Sequence, residues 1–235
     1  MRILIILLFS CTTLLAQTPY QLKTGRELGI LGAAGGLNGA SAYFNLKTFV
    51  LQEDEINKLD PLKIPGIDRW SVNNFSRTAQ KTSDRFLFGS FALPFLLFLD
   101  NTPRQSGGEV SLIYLETMLL NWGVTNATKT LVKRPRPYMY NENVPMSYKM
   151  KKSAQYSFFS GHTSFTAANS FLAAKMYDDF YPDSKAAPIV WGLAAAIPAF
   201  TGYKRIKGGK HFLTDVLVGY AVGAGIGILV PTLHK

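Results

Sequence analysis

The 235-residue chain predicts an all-α fold, a bundle of about six core helices, and three observations carry that expectation. Six apolar segments of helical length recur between polar connections. No stretch alternates apolar and polar residues in the manner of a half-buried strand. Small residues repeat at every fourth position, as Gly219, Gly223 and Gly227, and again as Gly32 with Gly36 and Gly35 with Gly39. That spacing lets helix backbones approach closely, in membranes above all.

The elements follow in order. Residues 1–17 open with Met1-Arg2, continue as an apolar run through Phe9, and close on small and polar residues up to Ala16 and Gln17. This is the pattern of a secretory leader, which would carry away Cys11, the single cysteine. Phe9 and the short stretch before Cys11 argue against a lipid-modified cysteine. Residues 27–46 are rich in Gly, Ala and Leu. Residues 47–85 are polar but set Leu51, Ile56, Leu59 and Leu62 at helical spacing, which predicts an amphipathic cap, with Trp70 expected to pack as an ordinary aromatic and a place at a membrane interface as the alternative. Residues 86–99 are almost wholly apolar around Pro94, and residues 109–128, 162–176, 187–202 and 211–232 complete the set.

Three of the segments (27–46, 109–128 and 211–232) reach the roughly 20 residues that a bilayer crossing needs. Glu116, Asn169, Lys175 and Asp215 lie within or beside segments, so they are expected to face the bundle interior. A membrane-embedded bundle is the expectation, with a soluble or peripheral envelope protein as its alternative. Mean hydropathy of +0.08 is compatible with both.

Composition narrows the functional classes. Hydrophobic residues make up 47% of the chain and charged residues only 17%, against roughly a quarter in average globular chains. A disordered chain is thereby excluded, and the composition argues against a nucleic-acid binder held by a long basic tail. One cysteine and three histidines leave no disulfide framework, no multi-cysteine cluster and no histidine-only metal cage. The net charge of +10 is concentrated. Residues 129–152 hold seven basic residues against one acid, residues 203–211 hold four against none, and the remainder cancels. An anionic ligand is expected at those two segments.

Three motifs carry chemistry. His211 and Asp215 stand four residues apart, on one face of a helix, so Asp215 is expected to accept from one ring nitrogen and free the other as a nucleophile. Asp215 as a cap or as a balance for the basic loop is the plainer alternative. Lys129, Arg136 and Arg205 suit the equatorial oxygens of a transferring phosphoryl group, although basic loops also mark membrane topology. Ser160-Gly161-His162 opens an apolar helix whose first amides favour an anion, and it also reads as simple N-cap chemistry. His234, one residue from the C-terminus, is expected to be a solvated tail residue.

Together the motifs resemble the type 2 phosphatidic acid phosphatase (PAP2) superfamily, which includes bacterial non-specific acid phosphatases and vanadium haloperoxidases. The family pattern of Lys-x6-Arg-Pro is complete as Lys129 to Arg136-Pro137. The Pro-Ser-Gly-His element appears as Phe159-Ser160-Gly161-His162, with Phe for Pro. The Ser-Arg-x5-His-x3-Asp element appears as Lys204-Arg205 to His211 and Asp215, with Lys for Ser. Arg134-Pro135 has no lysine at the matching distance and falls outside the pattern.

The resemblance implies that His211 attacks phosphorus to give a phosphohistidine, Asp215 orients it, and His162 protonates the leaving group. Lys129, Arg136, Ser160, Gly161 and Arg205 then bind phosphate, with no metal and no cofactor. The resemblance covers about residues 85–230, and the chain is expected to divide into a leader (1–17), a first core helix with cap (18–84) and a catalytic core (85–235). The expected substrate is a lipid phosphate such as phosphatidate, an isoprenyl pyrophosphate or a lipid A phosphate, in contact with membrane lipids and not with nucleic acid. A broad-specificity periplasmic acid phosphatase is the alternative enzyme, and vanadate use has no support in the sequence. A non-catalytic envelope protein that binds anionic lipid is the alternative from another class. Counting crossings from a cleaved leader, with the positive-inside rule, puts the site in the cytoplasm. A secretory leader and the habit of integral family members put it outside, and an outward-facing site in a bacterial cell envelope is the expectation.

Overall fold

The computed structural model describes residues 18–235, so the expected leader and Cys11 lie outside the described residues. Among those described there is no strand, and six long helices form the body. They are α1 (Thr24–Leu46), α2 (Arg77–Ser90), α3 (Gly107–Val132), α4 (Gly161–Phe180), α5 (Ala187–Lys207) and α6 (Leu213–Leu233). The all-α expectation holds, and each long helix overlaps one of the six apolar segments.

The second segment departs from expectation. Ser76 starts α2 well before the apolar run, its hydroxyl accepting from the Ala79 N–H at 3.2 Å in the usual N-cap manner. The helix ends at Ser90, and Leu93–Leu99 is a 3-10 segment with Pro94 in its first turn. Proline has no N–H to continue an α-helical ladder and fits a first turn. What reads as one apolar helix is two pieces.

α4 is the hub, packed against α6 and α5 most extensively and against α2 and α3 besides. Its contact with α6 is close because a Cβ at Gly219, Gly223 or Gly227 would fall 2.5, 2.0 or 2.6 Å from the carbonyl oxygens of Ser160, Ser164 and Ala168. The expected close approach along this stripe is therefore present. The α1 glycines behave differently. Gly32, Gly35, Gly36 and Gly39 have open space where a Cβ would stand, and the α1–α3 contact runs through Gly123, whose Cβ would lie 2.9 Å from that of Leu37.

Between α1 and α2 three short helices, Glu53–Asn57, Pro61–Lys63 and Gly66–Arg69, cover one end of the bundle. Ile56 packs there with Tyr138, Met139 and Val144 of the connection between α3 and α4. Trp70 does not pack as expected. It is 52% exposed, and its indole N–H donates to the Ile67 carbonyl at 2.8 Å. Large apolar side chains also point outward from the long helices, among them Leu28, Phe88, Trp122, Ile189 and Leu217. α2 continued through Leu99, and α6, are long and apolar enough to cross a membrane by length and composition.

Candidate active site

The three motifs meet at the capped end of the bundle. Lys129 lies in the last turn of α3 and Arg136 in the connection that follows. Ser160 caps α4, Arg205 lies in the last turn of α5, and His211 precedes α6, which begins at Leu213. Loop contacts tie these pieces together. The Ser160 N–H donates to the Asp215 carbonyl at 2.9 Å, and Arg136 Nη1 donates to the Lys210 carbonyl at 3.2 Å.

His211 is 1% exposed. Its Nδ1 lies 2.7 Å from the Ser157 carbonyl oxygen, which can only accept, so Nδ1 carries the proton and Nε2 keeps its lone pair. The expected hydrogen bond from His211 to Asp215 is not formed, because Nδ1 and Oδ2 are 3.7 Å apart, beyond bonding range. Four other donors use Asp215 instead. Oδ2 accepts from Ser157 Oγ at 2.5 Å and from the Phe212 N–H at 2.8 Å, while Oδ1 accepts from Arg134 Nη1 at 2.6 Å. The fourth bond is to its backbone carbonyl, from Ser160. Spacing of four residues places the pair on one face but leaves the ring free to rotate toward a nearer acceptor, and here that is the Ser157 carbonyl.

Arg134, outside the family pattern, is the keystone of this network. Its Nη2 donates to Asp68 Oδ2 at 2.8 Å and its guanidinium stacks 4.1 Å from the Phe212 ring centroid. Asp68 in turn accepts from the Thr214 N–H at 2.9 Å and hydroxyl at 2.6 Å. The cap helix Gly66–Arg69 is thus fastened to the start of α6.

The basic residues converge with few acids among them. Lys129 Nζ donates to the carbonyls of Tyr156 and Phe159 at 3.0 and 2.6 Å. Arg136 Nε donates to the Ser153 carbonyl at 2.8 Å. Arg205 reaches Ser83 Oγ at 3.2 Å and Asp84 Oδ1 at 3.3 Å, and its buried Nε has no partner. The same Asp84 oxygen is 2.8 Å from His162 Nε2. Ser160 Oγ pairs with Thr163 Oγ1 at 2.9 Å and caps the helix. A Cβ on Gly161 would press on Thr125 Cγ2 at 3.3 Å, so the α4 N-terminus sits tightly beside Lys129.

Concentrated positive charge has a predictable electrostatic result. Burial, reinforced by Arg136, Lys129 and Arg205, holds the His211 imidazole well below its ordinary range. Burial and then Arg205, Arg136, Lys129 and Lys210 lower His162 to about 2. Lys210 falls to about 7 through burial and the two arginines 136 and 205. The surrounding cations and burial disfavour the protonated form of both imidazoles, and the pocket is short of negative charge. An anion supplies what it lacks.

Sequence reading did not find Asp84, Asp68, Arg134 or Ser157. Asp84 and Asp68 lie in the polar connection, where nothing in the local pattern distinguishes them from solvated acids. An apolar recess of about 650 Å³, lined by Leu93, Leu96, Tyr177, Val190 and Leu193, lies toward the other end of α4 and includes none of the site residues.

A family model for the PAP2 superfamily matches residues 111–235. That span contains Lys129, Arg134, Arg136, Ser160, His162, Arg205, His211 and Asp215, and leaves out Asp68 and Asp84. No solved structure matches the chain.

Proposed function

Because this chain belongs to the PAP2 superfamily, we propose that it is a phosphatase that transfers a phosphoryl group to His211 and then to water. The observation that carries the reading is the state of His211. Its proton is held at Nδ1 by the Ser157 carbonyl, and its Nε2 lone pair is free amid Lys129, Arg136 and Arg205. A neutral, oriented imidazole surrounded by cations is a nucleophile suited to an anionic phosphorus centre.

In the first step Nε2 of His211 forms a bond to phosphorus while the bond to the ester or anhydride oxygen breaks. His162, which takes up a proton once the bound phosphate offsets the surrounding cations, delivers it to that oxygen. In the second step water attacks phosphorus, the N–P bond breaks, and His162 accepts the water proton. Lys129, Arg136 and Arg205, with the Ser160 hydroxyl and the Gly161 amide, hold the equatorial oxygens. These cations supply the charge that a divalent metal supplies in other phosphatases, so the reaction is proposed to need none. Asp84 Oδ1, bonded to His162 and Arg205, stands where a phosphate oxygen would be held, and substrate takes its place.

A lipid phosphate is the proposed substrate class, with the bundle in or on an envelope membrane and the site facing outward. Outward apolar side chains such as Phe88 and Leu217, on the two stretches (Arg77–Leu99 and Leu213–Leu233) long and apolar enough to cross, support it. The test is a substrate panel in excess EDTA, run below the melting temperature on wild type and His211→Ala. Phosphatidate, isoprenyl pyrophosphate, a lipid A phosphate and p-nitrophenyl phosphate make up the panel. Phosphate release from a lipid by wild type and none by the variant is expected. Equal turnover of the soluble ester would select the broad acid phosphatase, and unchanged rates in His211→Ala would remove the nucleophile.

A further inference from the structure

We propose that Glu27, Glu116 and His234 form a binding site for one divalent transition-metal ion, at the end of the bundle remote from His211. The sequence expectation of a solvated His234 fails, since the side chain is fully buried. It sits just beyond the C-terminus of α6, beside Glu27 in the first turn of α1 and Glu116 in the middle of α3. α6 has 21 residues, so the cluster is about 30 Å from the catalytic histidine.

Hydrogen bonding leaves this cluster incomplete. His234 Nδ1 is 2.8 Å from the Val230 carbonyl oxygen, so Nδ1 carries a proton. Nε2 is then 2.8 Å from Glu27 Oε2 and 3.1 Å from Glu116 Oε2. A neutral ring would aim its lone pair at two acceptor oxygens. A doubly protonated ring has one proton for two carboxylates. An ionised Glu116 is short of a donor in either state, and neither of its buried oxygens has a hydrogen-bond donor facing it within the fold. Without an ion the cluster must instead hold a proton between Glu116 and Glu27, which burial and the Glu27 charge favour by raising Glu116. An isolated buried carboxylate is costly unless paired or bound to metal.

One ion supplies what is missing. The three ligand atoms lie within 4.8 Å of one another, and opening the contacts to about 3.3 Å gives tetrahedral spacing around Zn²⁺. Two carboxylates neutralise a divalent charge. The shell around the ligands is already set for this. Glu27 Oε1 is held by the Lys23 N–H at 2.8 Å and Arg26 Nη2 at 2.6 Å, which turns Oε2 inward. A ring N–H given to a backbone carbonyl is the usual outer-shell partner of a ligating histidine. Mixed imidazole and carboxylate donors suit Zn²⁺, Mn²⁺ or Fe²⁺ over Mg²⁺ or Ca²⁺. The ion would join α1, α3 and the C-terminal residue pair, holding the fold and taking no part in phosphoryl transfer. Glu27 lies outside the residues that the family model matches.

The test uses the full chain without an affinity tag, purified in mild detergent, stripped with EDTA and titrated with Zn²⁺ or Mn²⁺. Bound metal is read by mass spectrometry and stability by thermal melting. About one equivalent of metal is expected, with melting raised by about 5–10 °C at a hundredfold excess over Kd. Glu116→Gln and His234→Gln should lose both responses, whereas His211→Ala should keep them. Glu116→Gln also guards against simple misfolding, because its amide can donate to Glu27, so the stripped variant should melt no lower than stripped wild type. Less than a tenth of an equivalent in wild type with no melting shift would overturn the proposal and leave a proton shared between carboxylates. Metal retained by both variants would overturn it equally, by placing the ion elsewhere.

Discussion

The imidazole of His211 is held by the carbonyl of Ser157 at 2.7 Å, while the carboxylate of Asp215, on the same helical face, stands 3.7 Å off. The backbone therefore selects the tautomer, and Asp215 acts on the backbone. It takes the Ser157 hydroxyl, the Phe212 N–H and Arg134, and so positions the loop whose carbonyl faces the ring.

Asp215→Asn separates these roles. Where a carboxylate alone fixes a catalytic tautomer, its amide costs about 10⁴ in kcat. Here kcat is expected to fall by less than about a hundredfold, while stability drops by about 3 kcal/mol as buried donors lose their acceptor. Nitrogen-15 NMR should still show the proton on Nδ1 of His211. A 10⁴-fold loss in a stable variant with a switched tautomer would return the orienting role to Asp215.

Arg134 joins Asp68 in the cap to Asp215 in the core, at 2.8 and 2.6 Å. A lysine cannot span both carboxylates with one point charge. Arg134→Lys is expected to lose about 2–3 kcal/mol, below the full cost for a buried pair because the side chain is 21% exposed. In a double-mutant cycle with Asp68→Asn, the losses should be non-additive by at least about 1 kcal/mol. Simple additivity would mean that the cap is fastened by other contacts.

The cation cluster also makes proton binding depend on phosphate. His211 and His162 are held below their ordinary value, whereas in the unfolded chain they titrate near 6.5. The unfolded state therefore binds more protons below pH 6.5, so stability is full above that pH and falls as pH drops through it. Vanadate or phosphate offsets the local charge and should restore melting at pH 5.5. Calorimetry in buffers of different ionisation enthalpy should show proton uptake on vanadate binding, reduced in His162→Ala. Binding without proton uptake would argue against His162 as the acid.

Lys210 gives the opposite limb. Its ammonium lies 4.7 Å from the Tyr148 ring centroid and is lowered to about 7. As pH rises through 7 the pocket loses this charge, so KM for a phosphomonoester should increase several-fold between pH 6.5 and 8.5. Lys210→Met should have the higher KM throughout and a flatter profile. An unchanged profile would place the titrating group elsewhere.

How much of this was legible in the sequence varies with the kind of contact. The six long helices were, since each overlaps an apolar run of helical length set between polar connections. The meeting of Lys129, Arg136, Ser160, His162, Arg205 and His211 was also legible, because helix ends order them along the chain. Asp68, Asp84 and Arg134 were not, because their charged partners lie 66 to 121 residues away. Ser157 was hidden for a different reason, as it acts through a carbonyl that every residue has. His234 misled by its terminal position, which does not report that α6 returns it to the first turn of α1.

Small-residue spacing shows the same division, and substitution can measure it. Gly219-x3-Gly223-x3-Gly227 and the glycines of α1 are alike as patterns, yet only the first seats a helix against a neighbouring backbone. Gly223→Ala would set a Cβ 2.0 Å from the Ser164 carbonyl oxygen. A backbone atom cannot swing aside, so α4 and α6 must separate, and a loss of about 3 kcal/mol or more is expected. Gly35→Ala meets nothing within 4 Å and should be neutral or stabilising by up to about 1 kcal/mol, since alanine is the better helix former. Thermal melting of both variants in one detergent decides the matter. If Gly35→Ala proved as damaging as Gly223→Ala, the exposed face of α1 would be pressed against something, and its open glycines would be a contact surface after all.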